Sequence, residues 1–154
     1  DPKGFLDILD GMWWTIDRNL TLHDTYLSAM ATYIDCIRNG VTTIFDHHAS
    51  FGSITGSLFE IEKAAKETGV RSCLCYEISD RDGKDKARAS VMENAEFIRY
   101  ALKDDSGMIA GNDGKCTHSL PSQTKRWSWR QPTNRMESAI ISMLQRESKI
   151  CITV

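Results

Sequence analysis

The chain has 154 residues, a formal net charge of −2 and an apolar fraction of 41%, which together are typical of a globular domain large enough to bury a core. The nearly balanced charge gives no reason to expect a polyanionic partner such as nucleic acid. No apolar run is long enough to span a bilayer, and the first residues do not resemble a signal peptide. We therefore expect a cytoplasmic protein that binds neither nucleic acid nor membrane.

Cysteine usage bears on the redox state and on metal binding. The five cysteines are odd in number, lack any Cys-x-x-Cys spacing and stand at Cys36, Cys73, Cys75, Cys116 and Cys151. This pattern predicts reduced thiols, with neither a disulfide framework nor a zinc knuckle.

Two helices are predicted before the first strand. Apolar residues recur at helical spacing from Phe5 to Trp14. Thr21 followed by Asp24 resembles a capping box, which predicts a second, long helix that ends near Gly40. The chain lacks an initiator Met, and a helix with so many aromatic residues usually packs against more protein than precedes it here. We expect the sequence to be part of a longer protein.

The segment from Gly40 to Ser50 is typical of a buried parallel strand that ends in three ionisable groups. In α/β folds the carboxyl ends of parallel strands are where ligands and catalytic groups lie. Alternation divides the strand into a more polar face and a more apolar face: Thr42, Ile44, Asp46 and His48 against Val41, Thr43, Phe45 and His47. The polar face is expected to line a barrel interior, so His48 rather than His47 should face a pocket. The alternative is that both imidazoles are structural groups that form hydrogen bonds at the strand end.

Further helix and strand signals alternate down the chain. They predict a helix over Leu58–Thr68, a strand over Val70–Ile78, a helix over Ala87–Lys103 and a strand that begins at Met108. Such alternation is the signature of right-handed βαβ units around a parallel sheet. Periodicity alone does not distinguish an open sheet from a closed barrel.

These residues resemble the amidohydrolase superfamily, and within it the chlorohydrolase and aminohydrolase branch. The resemblance rests on the Trp-Trp of the first helix, Arg-Asn-Gly at the end of the second, the strand Gly-Val-Thr-Thr-Ile-Phe-Asp-His-His-Ala-Ser, and Glu-Thr-Gly-Val-Arg before a strand that ends in Tyr-Glu. It covers residues 1–111. It implies an α/β fold, a partial (β/α)8 TIM barrel in which about three parallel strands correspond to the second, third and fourth.

The same resemblance implies a metal-dependent hydrolase. In the intact family member a zinc or iron ion would activate a water for attack on a C–N or C–Cl carbon of a small-molecule amino-heterocycle or related substrate. The family ligands are a His-x-His on the first strand, a His in a His-x-x-Glu on the fifth, a His on the sixth and an Asp on the eighth, and no residue here matches them. We therefore expect no metal ligand in this chain. No catalytic residue is identified, and the pocket candidates are Asp46, His47, His48 and Glu77.

The character of the chain changes at Asn112, after which basic residues predominate and residues 116–132 have no helical or strand period. Reading the codons of residues 115–154 one base earlier permits a continuous string without a forced stop, and that string contains the family's fifth-strand His-x-x-Glu. We therefore predict a partial barrel over residues 1–111 and an irregular, out-of-frame tail over residues 112–154, with a short helix at 136–144. Four tail residues would then carry no selected chemistry: Cys116, His118, Trp127 and Trp129. The alternative is a genuine basic segment.

Two classes of function remain open. The chain is either part of a metal-dependent hydrolase of C–N bonds, inactive in this form, or a small α/β binding module without catalysis that ends in a basic segment. A partial barrel cannot close, so its outer strands and helix faces should be exposed. We expect self-association for this reason.

Overall fold

A computed structural model describes residues 4–112 and 150–153. In chain order the elements are α1 (Phe5–Ile8), a π-helical turn (Leu9–Trp13), α2 (Trp14–Asn19), α3 (Leu22–Arg38), β1 (Thr43–His48), α4 (Ser57–Thr68), β2 (Arg71–Tyr76), α5 (Lys84–Ala101), β3 (Ile109–Gly111) and β4 (Ile150–Thr153). The predicted alternation of helices and strands up to residue 111 is confirmed.

All the strands of the described sheet run parallel, in the order β3-β2-β1-β4. The first three strands lie side by side in the order in which they occur along the chain. β1 therefore lies between β2 and β4, whereas the sequence indicated three strands only. The fourth strand pairs Thr43 with Ile150 in a segment that was expected to be irregular.

The helices α3, α4 and α5 pack on one side of the sheet. The hydrophobic core combines β1 and β2 side chains such as Ile44, Leu74 and Tyr76 with residues of α3, α4 and α5, among them Tyr33, Leu58 and Phe97. Because each βαβ crossover is right-handed and the strands follow in chain order, successive helices must lie on the same side. Such one-sided placement of helices occurs in barrel segments, whereas a doubly wound sheet carries helices on both sides.

Both ends of α3 have the capping interactions that the sequence indicates. The Thr21 hydroxyl accepts a hydrogen bond from the Asp24 amide at 3.2 Å, and the Asp24 carboxylate accepts one from the Thr21 amide at 3.0 Å. At the other end, Gly40 has φ 74° and its amide donates to the Ile37 carbonyl, while the Val41 amide donates to Cys36. This is a Schellman motif, which turns the chain from α3 into β1.

Several predictions concern residues that the structure does not describe. The expected short helix at 136–144 and the tail residues Cys116, His118, Trp127 and Trp129 all lie outside the described residues. The domain boundary at Gly111 stays a prediction. Among the described residues, Cys36, Cys73 and Cys75 are buried and are not joined by disulfides, and no described helix is long and apolar enough to cross a membrane.

Candidate functional site

The predicted orientation of β1 is wrong. Ile44 is fully buried in the core beneath the helices, and alternation carries Asp46 and His48 to the same helix-facing side. His47 lies on the opposite side of the sheet, in register with Cys75. The polar residues can lie under the helices because neighbouring elements supply polar partners there, so hydrophobicity alone indicated the wrong face.

His48 is held in a hydrogen-bond network at the end of β1. Its Nε2 lies 2.8 Å from the Ser50 hydroxyl, which donates to the Ser53 carbonyl at 3.0 Å. A hydroxyl has one proton to donate, so Nε2 carries a hydrogen and donates it to Ser50. The Ser50 amide donates to the Tyr76 hydroxyl at 2.8 Å, and the Tyr76 ring meets the imidazole edge to face. Burial, followed by the nearby His47, lowers the pKa of His48 to about 4, so the imidazole is neutral at pH 7.

Asp46 is half-buried against α3. Its carboxyl group interacts with the hydroxyl of Tyr33, a residue that is 1% exposed. That hydroxyl also lies near Ser72, although it makes no hydrogen bond of good geometry with any residue that the structure describes. Burial raises the pKa of Asp46 to about 6, while the contact with Tyr33 acts in the opposite direction. Asp46 is therefore a carboxyl group that titrates much closer to neutral pH than an exposed aspartate does.

The opposite side of the sheet carries a small cavity. Its volume is about 20 Å³, enough for about one water molecule. Thr43, Arg71, Cys73 and Gly107 are among its lining residues, and the Arg71 guanidinium donates to the Thr43 hydroxyl at 3.2 Å. Because Thr43 and Arg71 begin their strands, the cavity lies at the amino ends. It is remote from the carboxyl ends, where the predicted pocket residues lie.

A second charged cluster lies beyond the carboxyl end of β2, and it includes the predicted pocket residue Glu77. No sequence pattern indicated its other members. Arg81 lies in the loop before α5, and its guanidinium stacks on the rings of Trp14 and Phe51. It forms an ion pair with Asp17 of α2 and lies 3.8 Å from Glu77. The side chain of Arg81 is only 8% exposed, and its Nε has no hydrogen-bond partner among the described residues. Burial raises the pKa of Asp17, and the contact with Arg81 opposes that shift.

Arg81 helps to attach the amino-terminal helices to the carboxyl end of the sheet. Nearby, Arg18 forms hydrogen bonds with both carboxylate oxygens of Asp82, at 2.9 to 3.2 Å. The Gly52 amide donates to the Asp17 carbonyl at 3.0 Å. The α2 helix is therefore attached to the loops that follow β1 and β2. The contact of Arg18 with Asp82 and that of Arg81 with Asp17 each join residues 64 positions apart in the sequence. No local pattern could therefore have indicated them.

The pocket candidates do not form a metal centre. Within the described ranges, 4–112 and 150–153, no three His, Cys, Asp or Glu side chains are grouped so that they could hold a metal ion. His48 Nε2 is engaged with Ser50, and Asp46 and His47 lie on opposite sides of the sheet. The described residues therefore do not fit a zinc or iron site of three converging ligands.

Comparison with known proteins gives relatives in one class of enzyme. The chain is 25% identical over 151 residues to a 5'-deoxyadenosine deaminase from Methanosarcina barkeri, covering 97% of this chain and 33% of that protein. It is 27% identical over 96 residues to a 5-methylthioadenosine/S-adenosylhomocysteine deaminase from Pyrococcus furiosus, covering 62% of this chain and 21% of that protein. A 5'-deoxyadenosine deaminase from Methanobrevibacter smithii is 28% identical over 81 residues, 53% of this chain and 17% of that protein.

The chain spans a third or less of the length of these relatives. The Methanosarcina alignment extends past Gly111, the boundary predicted from the sequence. No family model matches the chain, and no solved structure matches it. The similarity to deaminases, which are C–N hydrolases, supports the resemblance to the amidohydrolase superfamily found in the sequence.

The burial of Asp46 gives a pH-dependent prediction. In the native state the pKa of Asp46 is about 6, above the ordinary value of 3.8. The ionised carboxylate is therefore less stable in the folded protein than in the unfolded chain, which lowers the free energy of unfolding at high pH. That stability is recovered as the pH falls through 6 and the carboxylate is protonated. Asp46→Asn should therefore stabilise the protein by about 1 to 3 kcal/mol at pH 8, because it removes the buried charge. Urea unfolding of parent and variant at a series of pH values measures the difference.

The gain should disappear near pH 4, where Asp46 of the parent is already neutral in the folded state. His48 changes the stability in the direction opposite to Asp46. Because its pKa is lowered in the folded state, both parent and variant lose stability as the pH falls below 6.5. This loss therefore cancels from the difference between them. A constant difference between parent and variant from pH 8 to pH 4 would contradict a raised pKa for Asp46.

Proposed function

We propose that the chain is part of a closed (β/α)8 barrel of the amidohydrolase superfamily. The observation that carries the proposal is the winding of the sheet: β1, β2 and β3 are parallel and adjacent in chain order, with α3, α4 and α5 on one side. Continued in the same sense, such winding curves the sheet toward closure. The sequence similarity to deaminases supports the same assignment.

The reaction that we propose for the whole protein is hydrolysis of a C–N bond, with release of an amino group from a small heterocycle. The relatives named above are deaminases of adenosine derivatives, which supports a substrate among amino-substituted nucleosides or related rings. Within the superfamily, the sequence features of residues 1–111 support an aminohydrolase of the SsnA type. We expect a cytoplasmic enzyme, in keeping with the composition of the chain.

The described residues would contribute scaffolding to this reaction. A zinc or iron ion is expected in the intact enzyme, and its ligands would lie outside the described ranges because the residues within them do not fit a metal site. The neutral imidazole of His48 and the contacts of Arg81 would hold the loops at the carboxyl ends of β1 and β2 in place. Of the four predicted pocket residues, His47 and Glu77 stay candidates for lining the pocket, whereas Asp46 and His48 lie on the helix-facing side of β1.

A small binding module without catalysis is the competing function. It is favoured by the absence of a metal-ligand cluster within the described residues and by the structural engagement of His48. The two proposals differ in what surrounds the chain in the longer protein. The hydrolase proposal requires a His-x-His encoded upstream of Asp1 and a long reading frame that reopens near residue 112.

The 154-residue chain alone should release no ammonia from 5'-deoxyadenosine or from a panel of amino-heterocycles, and should retain no stoichiometric zinc or iron after dialysis. The reason is that a catalytic zinc needs three converging protein ligands. The corrected, full-length protein should retain the metal and release ammonia. Metal analysis and an ammonia assay on both proteins measure these outcomes, and resequencing of the locus supplies the corrected gene.

Two results would contradict the proposal. One tightly held metal ion per 154-residue chain would show that this part of the sequence holds a site of its own. A resequenced locus with no upstream His-x-His would favour the binding module. Replacing either His of the recovered pair by Ala gives the matched control, since it should abolish metal retention in the full-length protein.

A further inference from the structure

The outward face of α3 carries apolar residues where polar ones are expected. The buried residues of this helix, Thr25, Ala29, Tyr33 and Cys36, face the core. Leu27 and Ile34 point in the opposite direction, about 180° around the helix at roughly 100° per residue. They are 48% and 44% exposed. A helix on the surface of a globular protein normally carries polar side chains on that face.

These two residues belong to a regular row that we name the outer stripe of α3. Its members follow one another at spacings of three and four residues, as the contact positions of a helix pair do: Asp24, Leu27, Ala31, Ile34 and Arg38. The stripe begins with an acidic residue near the amino end and finishes with a basic residue in the last turn. Its middle residue, Ala31, has a small side chain and is exposed.

The order of residues makes the outer stripe complementary to itself. A two-fold axis through Ala31, with two copies of the helix antiparallel, brings Asp24 opposite Arg38 at both ends. The same axis sets Leu27 near Ile34 on each side of the centre, and the small Ala31 side chains allow the helices to approach closely. Symmetric dimers use such isologous contacts, in which one patch meets itself. The antiparallel arrangement also aligns the helix dipoles favourably.

We propose that the outer stripe of α3 is the docking surface for a second copy of this chain, in a two-fold antiparallel helix pair centred on Ala31. Within the chain, the Asp24 carboxylate caps α3 at Thr21, and the Arg38 guanidinium lies 3.8 Å from the Asp35 carboxylate. A partner with a uniformly charged or uniformly apolar helix would match at most one of the two charged ends of the stripe, so a second copy fits better. The inference does not depend on the proposed activity. The sequence predicts self-association because outer strands and helix faces of a partial barrel are exposed. The proposal assigns this self-association to one helix face, the outer stripe of α3.

The test uses the 154-residue chain and measures mass by light scattering as a function of concentration. The parent should pass from monomer to dimer. Leu27→Lys with Ile34→Lys should weaken dimerisation at least about tenfold, because both apolar contacts are lost. Met92→Lys with Leu102→Lys is the matched control, since those residues are 62% and 61% exposed outside the stripe. The control should dimerise like the parent.

A cysteine at the two-fold axis gives a second measurement that does not require a destabilising charge. Ala31→Cys should form an intermolecular disulfide under mild oxidation much faster than Met92→Cys, because the axis brings the two introduced thiols together. The parent chain supplies the background rate of its own cysteines. Arg38→Glu should slow the cross-linking of Ala31→Cys, because it places two acidic groups opposite each other.

Three results would overturn the proposal. The parent could stay monomeric at every concentration tested. The Leu27 and Ile34 double variant could associate as strongly as its control, which would place the interface elsewhere, for example on the exposed apolar residues of the amino-terminal helices. Cross-linking at position 31 could be no faster than at position 92.

Discussion

Gly52→Ala should destabilise the protein by about 2 to 4 kcal/mol. A Cβ atom at position 52 would lie 2.4 Å from the carbonyl oxygen of Arg18 and 2.9 Å from that of Leu20. Both are backbone atoms and cannot move as a side chain would. The loop after β1 would have to separate from α2, with loss of the hydrogen bond between the Gly52 amide and Asp17. The urea midpoint measures the change.

Gly11→Ala is the matched control for this prediction. Gly11 lies in the π-helical turn, and a Cβ atom there would meet no atom of the described part of the chain within 4 Å. Alanine is also the better helix former, so the variant should be neutral or slightly more stable. Hydrogen exchange should show faster exchange of the α2 amides in Gly52→Ala only. Equal behaviour of the two variants would contradict the close approach of Gly52 to α2.

Asn94→Ala should cost about 2 to 5 kcal/mol, since it leaves two buried backbone groups without partners. The Asn94 amide nitrogen donates to the Tyr76 carbonyl, and its oxygen accepts from the Tyr76 amide, both at 2.8 Å. Asn94 is 3% exposed, and Tyr76 is completely buried, so water cannot replace the lost bonds. Denaturant unfolding of parent and variant measures the loss of stability.

The control for Asn94→Ala lies two residues further along α5. Glu96 is exposed, so Glu96→Ala should change the stability by no more than about 0.5 kcal/mol. Both substitutions replace a residue of α5 by Ala, so neither lowers helix propensity. If Asn94→Ala were as stable as Glu96→Ala, the end of β2 would not depend on its side-chain link to α5.

Much of the fold is predictable because the signals are local. The capping box at Thr21 and Asp24 and the turn at Gly40 can be read within a few residues, and the structure has both. The strands follow from β-branched and apolar runs between turn signals. The strand Ile150–Thr153 could not be predicted in the same way, because its pairing with β1 joins segments far apart in the sequence.

The candidate site was less predictable, for a different reason. The polarity of Asp46 and His48 indicated a pocket, yet their environment is set by distant residues such as Tyr33, Ser50 and Tyr76. Alternation correctly separated the two faces of β1, and only the choice of the helix-facing side was wrong. Arg81 was missed because an arginine in a polar loop usually lies in solvent, and its burial depends on α2.

The position of β1 between β2 and β4 has a consequence for the order of folding. Thr43 pairs with Arg71, 28 residues later, through a compact βαβ unit. Its pairing with Ile150 closes a stretch of chain about four times longer, which costs about 1 kcal/mol more in loop entropy. The β1-α4-β2 unit should therefore form early in refolding, and the β4 contact should form last. During that interval one edge of β1 is open to pairing with another strand, so the refolding yield should fall as protein concentration rises.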